Sequence, residues 1–241
     1  MKRLFLAAAL IPLACAAADV PQVTISAQRD AEWASYRQAY KISASYEYHT
    51  RTRPLIQAHM QVRPLEPGTR LEGLRLQLAS ESMTVDVPVD DIGRSTLPML
   101  KKAYDEDGVL RLNRQKGYYR FSGRYSIRDR HDGVYSVAQL REACEQVLSA
   151  QRASGSLFRL MGKKCAGIRF IYPLADSGAT VNYRAADGST STGAIAAADA
   201  EPFESGALGL YKVAIFRFGA WPAQGDVIAA ARPLAIGTVY E

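Results

Sequence analysis

The feature that most restricts the fold is a hydrophobic period of two. Ile56, Ala58, Met60 and Val62 alternate with Gln57, His59, Gln61 and Arg63. Leu74, Leu76 and Leu78 alternate with Arg75 and Gln77, and Met83, Val85, Val87 and Val89 alternate with Thr84, Asp86 and Pro88. Successive side chains of an extended chain point to opposite sides, so each run is a strand that buries one face. Pro88 lacks an amide donor and places its strand at a sheet edge or at the strand's end. The longest such run is GYYRFSGRYSIRDR, residues 117–130. It puts Tyr119, Phe121, Tyr125 and Ile127 on one face and Arg120, Arg124 and Arg128 on the other. The C-terminal stretch from Lys212 reads as two further strands around a loop at Gly219 to Asp226, with Trp221 as a lid over the core.

Two segments carry a helical period instead. In residues 31–41, Trp33, Tyr36 and Tyr40 recur at spacings of three and four, with Asp30 in place as N-cap. From Ser136, which forms a capping box with Gln139, the stripe Val137, Leu140, Cys144, Val147 and Leu148 runs to Gly155. Asp-Gly and Pro-Gly reversals separate the strands, and strands do not alternate regularly with helices. The expectation is a mainly β protein: two tandem antiparallel β-sandwich-like units with an N-terminal helix and a connecting helix. The corresponding segments are an N-terminal strand and helix (19–50), a first β unit (51–135), the connecting helix (136–155) and a second β unit (156–241).

Residues 1–18 carry a leader pattern. Lys2 and Arg3 precede an apolar stretch from Leu4 to Ala14, and Ala16-Ala17-Ala18 supplies small residues for cleavage before Asp19. The apolar stretch is too short for a permanent span, so the expected location is outside the cytoplasm, periplasmic or secreted. Cys15 offers lipid anchoring as an alternative, but Pro12 and Leu13 depart from the lipobox that this signal resembles. Removal of 1–18 lowers the formal charge from +6 to +4, a mild positive balance that suits anionic partners. Nucleic acid is not expected, because it requires a denser basic patch interleaved with aromatics. Cys144 and Cys165 remain, and two cysteines in an oxidising compartment pair. His49, His59 and His131 are far apart in sequence and no Cys-x-x-Cys occurs, so no metal site and no cofactor are expected.

The stretch VPVDDIGRSTLP, Val87 to Pro98, poses the main chemical question. Asp90 and Asp91 resemble a carboxylate pair, but a tight reversal selects Asp and Gly for its own geometry. Adjacent residues at a turn point apart, whereas acid–base work needs one desolvated and one solvated acid side by side. The stretch is assigned to a strand corner. DEDG, Asp105 to Gly108, lacks the spaced ligands and closing Glu of a calcium loop. There is no G-x-S-x-G elbow, no phosphate-binding loop and no dinucleotide fingerprint. No catalytic residue is assigned. The candidate ligand-binding residues are Tyr118, Arg120, Arg124 and Arg128, whose guanidinium row suits phosphate or carboxylate.

The two halves of the chain show a faint likeness. GLRLQL at Gly73 aligns with GIRFIY at Gly167, residues 83–96 align with 179–192, and Tyr119-Arg120-Phe121 aligns with Phe216-Arg217-Phe218. A duplication and a chance likeness among strand-turn-strand segments both account for it. If the duplication is real, Ala186 replaces Asp90, a change that a structural corner survives. The pattern V-x-V-D-x-x-G-R-x-x-L-P, with the later G-Y-Y-R-F-x-x-x-Y-S-I, resembles transthyretin-like, or carboxypeptidase-regulatory-like, β-sandwich modules. It is also similar to segments of uncharacterised proteobacterial envelope proteins. The resemblance covers about Leu74 to Ile127 and departs at Ser95 and between Pro98 and Tyr118. It implies non-catalytic adhesion, binding or spacing, and no functional residues carry over. The expected function is an exported, non-catalytic module that binds a protein partner or an anionic polymer. The alternatives are a cell-wall or polysaccharide hydrolase with unidentified carboxylates, and a structural spacer.

Overall fold

The computed structural model describes residues 31–189, 194–203 and 208–241. The leader, Cys15, the short 19–30 segment and Asp30 lie outside the described residues. Among those described, fifteen strands form antiparallel sheets and helices are few, so the protein is mainly β. No helix among the described residues is long and apolar enough to cross a membrane.

The first half begins with β1 (Ala31–Ser35) and α1 (Tyr36–Thr50). It continues through β2 (Ile56–Pro64), β3 (Leu76–Ala79), β4 (Thr84–Val87) and β5 (Arg94–Ser95). A short α2 (Lys101–Asp105) precedes β6 (Val109–Gln115) and β7 (Tyr119–Ile127). The second half has β8 (Val134–Ser136), α3 (Val137–Gln151), β9 (Cys165–Tyr172), β10 (Thr180–Arg184) and β11 (Ile195–Ala196). It closes with β12 (Ala198–Ala200), β13 (Tyr211–Arg217), β14 (Asp226–Ala229) and β15 (Ala235–Tyr240).

Pairing within the two halves is the same. One four-stranded sheet has the order β1-β6-β3-β4, and another has β8-β14-β10-β11. The remaining strands share one seven-stranded sheet, β12-β13-β9-β15-β7-β2-β5. With β12 set aside, it reads as β13-β9-β15 followed by β7-β2-β5. Thus β1, α1, β2, β3, β4, β5, β6 and β7 correspond in chain order to β8, α3, β9, β10, β11, β13, β14 and β15. The halves meet where β7 pairs with β15 antiparallel, at Ile127 opposite Ile236. Corresponding strands that pair antiparallel are exchanged by a local twofold axis perpendicular to the sheet. Such an axis leaves both helices on the same face.

This correspondence corrects the sequence alignment, by one strand at GLRLQL and at residues 83–96 and by two at Tyr119-Arg120-Phe121. GLRLQL leads into β3, an inner strand of a small sheet, whereas GIRFIY lies in β9 of the shared sheet. The counterpart of β3 is β10. Strands with the same alternation are interchangeable by composition, so the true register shows only in the pairing.

The N-terminal helix also starts later than its aromatic spacing suggests. Residues 31–35 pair with β6, with Trp33 opposite Arg111, and this pairing overrides the helical period there. The cap is Ser35, whose hydroxyl accepts from the Gln38 amide at 3.3 Å. Ser136 does the same for Gln139 at 3.1 Å in α3. Both helices therefore begin Ser-x-x-Gln, and both are 15 residues long. Tyr36 is fully buried, donates to Pro98 O at 2.5 Å and accepts from Leu100 N at 2.8 Å. Tyr40 packs on Tyr104 with ring centroids 4.9 Å apart.

The helices cover the apolar face of the shared sheet. Tyr46 of α1 stacks on Tyr125 of β7 at 4.6 Å. A Cβ at Gly123 would lie 2.5 Å from the Tyr46 ring, so the glycine permits this approach. On the other side, α3 buries Leu140, Cys144 and Val147 against Ile168, Phe170 and Phe216. Trp221 stacks on Phe216 at 5.8 Å and closes that end of the core. The C-terminal stretch holds three strands, β13, β14 and β15, where alternation alone separated two.

Cys144 on α3 and Cys165 at the start of β9 form a disulfide with Cα atoms 6.0 Å apart. It closes a loop with a sequence separation of 21. Restricting such a loop in the unfolded chain is worth about 3 kcal/mol on the chain-entropy model. The Cys144→Ala/Cys165→Ala variant is therefore expected to lose about that much stability in urea unfolding. Reductant should lower wild-type stability to a similar level and leave the variant unchanged.

Candidate functional site

The face of the shared sheet away from the helices is polar where β2 and β7 run side by side. Registry places Arg63 opposite Arg120, Gln61 opposite Ser122, His59 opposite Arg124 and Gln57 opposite Ser126. Directly opposed residues of an antiparallel pair project to the same side. Two adjacent interior strands thus carry no apolar residue over eight positions on this face. On β5, Arg94 stands opposite Gln61 and extends the polar row.

The strand corner that follows β4 is built onto this face. The Asp90 carboxylate accepts from the backbone amides of Ile92 and Arg94 at 3.2 and 2.7 Å and pairs with the Arg94 side chain at 2.7 Å. Gly93 adopts φ +78°, and a Cβ there would lie 2.3 Å from Val62 O. Ile92 is fully buried and packs in a cluster with Ile171, Phe203 and Val213. Tyr211 donates to Asp91 O at 2.9 Å. Asp90 is thus occupied in holding the turn, while the exposed Asp91 contributes a backbone oxygen.

Arginine 124 is the hinge of the site. Its Nε donates to Gln61 Oε1, and Gln61 Nε2 donates to Ile92 O at 2.8 Å. Its guanidinium lies over the Phe203 ring, 3.8 Å from the centroid. Desolvation lowers its pKa to about 9, helped by the charges of Arg63, Arg159 and Arg169. Desolvation, Arg120 and Arg159 likewise lower that of Arg63. Guanidiniums on β2, β7, β9 and the segment after α3 therefore act on Arg63 and Arg124. Two such charges about 8 Å apart repel by about 2 kcal/mol at an effective dielectric constant of about 20. An anion placed among them would remove part of that repulsion.

The four residues expected to bind ligand are divided by the fold. Tyr118 and Arg120 are exposed at the start of β7, beside Arg63. Arg124 is drawn into the sheet by Gln61 and Phe203. Arg128 is exposed at the far end, where its Nε donates to Pro54 O at 3.0 Å. His59, Gln61, Arg63, Arg94, Arg159, Arg169 and Phe203 were not marked by sequence. The polar half of the β2 alternation carries the first three, but nothing in the chain's order reveals that β2 lies beside β7.

A cleft of about 690 Å³ opens at the Arg128 end, with Gln57, His59, Asp90, Arg94, Asp129 and Arg232 in its lining. Its two acids are each held by an arginine, Asp90 by Arg94 at 2.7 Å and Asp129 by Arg232 Nε at 3.0 Å. They do not form a proton-sharing pair of the kind that acid–base catalysis uses. Among the described residues no group of His, Cys, Asp or Glu is arranged to hold a metal ion. The chain matches no family model, no curated protein and no solved structure.

His59 gives a measurable signature of this environment. Its Nε2 is shut off from solvent and has no hydrogen-bond partner among the described residues. Burial, and then the charges of Arg94 and Arg124, hold its pKa well below the ordinary value of 6.5. The unfolded chain therefore takes up a proton near that value while the folded chain does not. Stability is full above it and falls as the pH drops below it. Unfolding free energy should decline between about pH 7 and pH 5, with a limiting slope of about 1.4 kcal/mol per pH unit from this residue. Urea unfolding of His59→Gln at several pH values should show that component removed.

Proposed function

We propose that this is an exported, non-catalytic binding module whose arginine-rich sheet face takes an anionic group on a partner or polymer. The observation that carries the reading is the placement of Arg63 opposite Arg120 on neighbouring strands, with Arg124 on the same face and Arg159 and Arg169 within electrostatic reach. Arg120 and Arg159 are exposed at its edge, within reach of a large partner. The planar guanidinium fork suits phosphate and carboxylate, and aromatic contact orients it, as at Arg124 over Phe203. The leader-like N-terminus and the disulfide support export. The pairing of Asp90 and Asp129 with arginines favours binding over hydrolysis.

Binding to soluble polyphosphate, measured by titration calorimetry, tests this. The wild type should bind, and added salt should weaken the interaction. Arg120→Ser should lower affinity about fivefold, the effect of about 1 kcal/mol for an exposed charged contact. Arg130→Ser, which removes the partner of Asp132 elsewhere on the surface, should leave affinity unchanged. Equal effects of the two variants would defeat the proposal.

A further inference from the structure

Beside the arginine cluster, the chain makes a turn that presents large apolar side chains to solvent. After α3, Gly155 adopts φ +99° and reverses the chain. In the following eight residues, LFRLMGKK, Leu157 is 55 %, Phe158 85 % and Met161 72 % exposed. Arg159, Lys163 and Lys164 lie in the same stretch and are also exposed. From Arg152 to Lys164 there is no acidic residue.

The turn is held firmly from below. Leu160 is buried, and the Arg152 guanidinium donates to Leu160 O at 3.1 Å and Lys163 O at 2.8 Å. Lys164 exchanges backbone hydrogen bonds with Glu241 at 3.0 and 3.1 Å. Cys165, the next residue, is tied to α3 by the disulfide. The apolar side chains are therefore presented outward on a fixed base. Arg159 lies within electrostatic reach of Arg63 and Arg124. Past Arg63, Leu65 donates to Tyr118 O at 2.9 Å, and both of these side chains are about half exposed.

We propose that this turn seats the protein on an anionic lipid surface, with Leu157, Phe158 and Met161 entering the headgroup–acyl boundary and the basic side chains meeting lipid phosphates. The inference rests on the anion-binding reading for its charge and adds the apolar insertion. Charge complementarity selects this occupant. The apolar residues stand beside cations along one short turn, and interfacial segments combine apolar and Lys/Arg side chains in this way. Long basic side chains also reach from an apolar boundary to the headgroups.

Vesicle co-sedimentation of the mature protein tests it. The wild type should sediment with phosphatidylcholine vesicles holding about 30 mol% phosphatidylglycerol and stay in solution with phosphatidylcholine alone. Phe158→Ser/Met161→Ser should weaken vesicle binding at least about tenfold, because two large apolar side chains no longer enter. Lys163→Ser/Lys164→Ser should weaken it about fivefold per charge. The Phe158/Met161 variant should bind soluble polyphosphate as the wild type does. Polyphosphate binding without sedimentation of the wild type would overturn the lipid inference alone, as would undiminished sedimentation of that variant. Failure to bind either probe would overturn the anion-binding reading as well.

Discussion

The structure turns on the seam where β7 meets β15. Among the described residues, Ile127 and Ile236 form the one registered pair between the two halves. This contact merges two repeats of the same topology into a seven-stranded sheet. It also places β7, which carries Arg120 and Arg124, in the interior of that sheet. An edge strand could leave its arginines in water. An interior strand holds some of them against neighbouring backbone, and Arg124 becomes a desolvated cation in contact with Gln61 and Phe203.

The cost of that burial is met by specific partners. Gln61 accepts from Arg124 and passes the contact to the backbone of the Asp90–Gly93 corner. The corner in turn lays Ile92 against the apolar half of the same face. One side of the shared sheet is therefore divided between a hydrophobic region near β9 and β13 and a cationic one on β2 and β7. Opposite it, both helices pack on an apolar surface that is continuous across the seam. The chemistry of the protein is concentrated where the twofold likeness of the halves breaks down. On β9 the residues Gly167 and Ile171 flank Arg169, so the second half carries no equivalent polar row.

Much of the local structure was legible in the chain. The alternation of β2 and β7, the capped start of α3 at Ser136, the reversal at Gly155 and the Cys144–Cys165 crosslink follow from short-range rules. The start of α1 was legible too, because Ser35 and Gln38 repeat the Ser136 and Gln139 signal, but the aromatic spacing that includes Trp33 drew attention upstream. The strand β8 is three residues long and carries no period of its own. The register of the repeat was hidden for a related reason: GLRLQL and GIRFIY look alike although they lead into β3 and β9, and only hydrogen-bonded order separates them. The site was half visible, as the arginines of β7. Arg63, Arg159 and Arg169 join them through tertiary pairing, which local sequence does not encode.

Anion binding at the sheet face should reach one group of arginines and leave undisturbed others that carboxylates hold. Two-dimensional NMR of the arginine Nε–Hε signals during titration with inorganic phosphate compares the two groups within a single sample. Arg120, Arg124 and Arg159 should shift together along one saturating curve, whereas Arg130, Arg184 and Arg232, each paired with an aspartate, stay in place. Shifts spread evenly over all arginines, or confined to the paired ones, would contradict it.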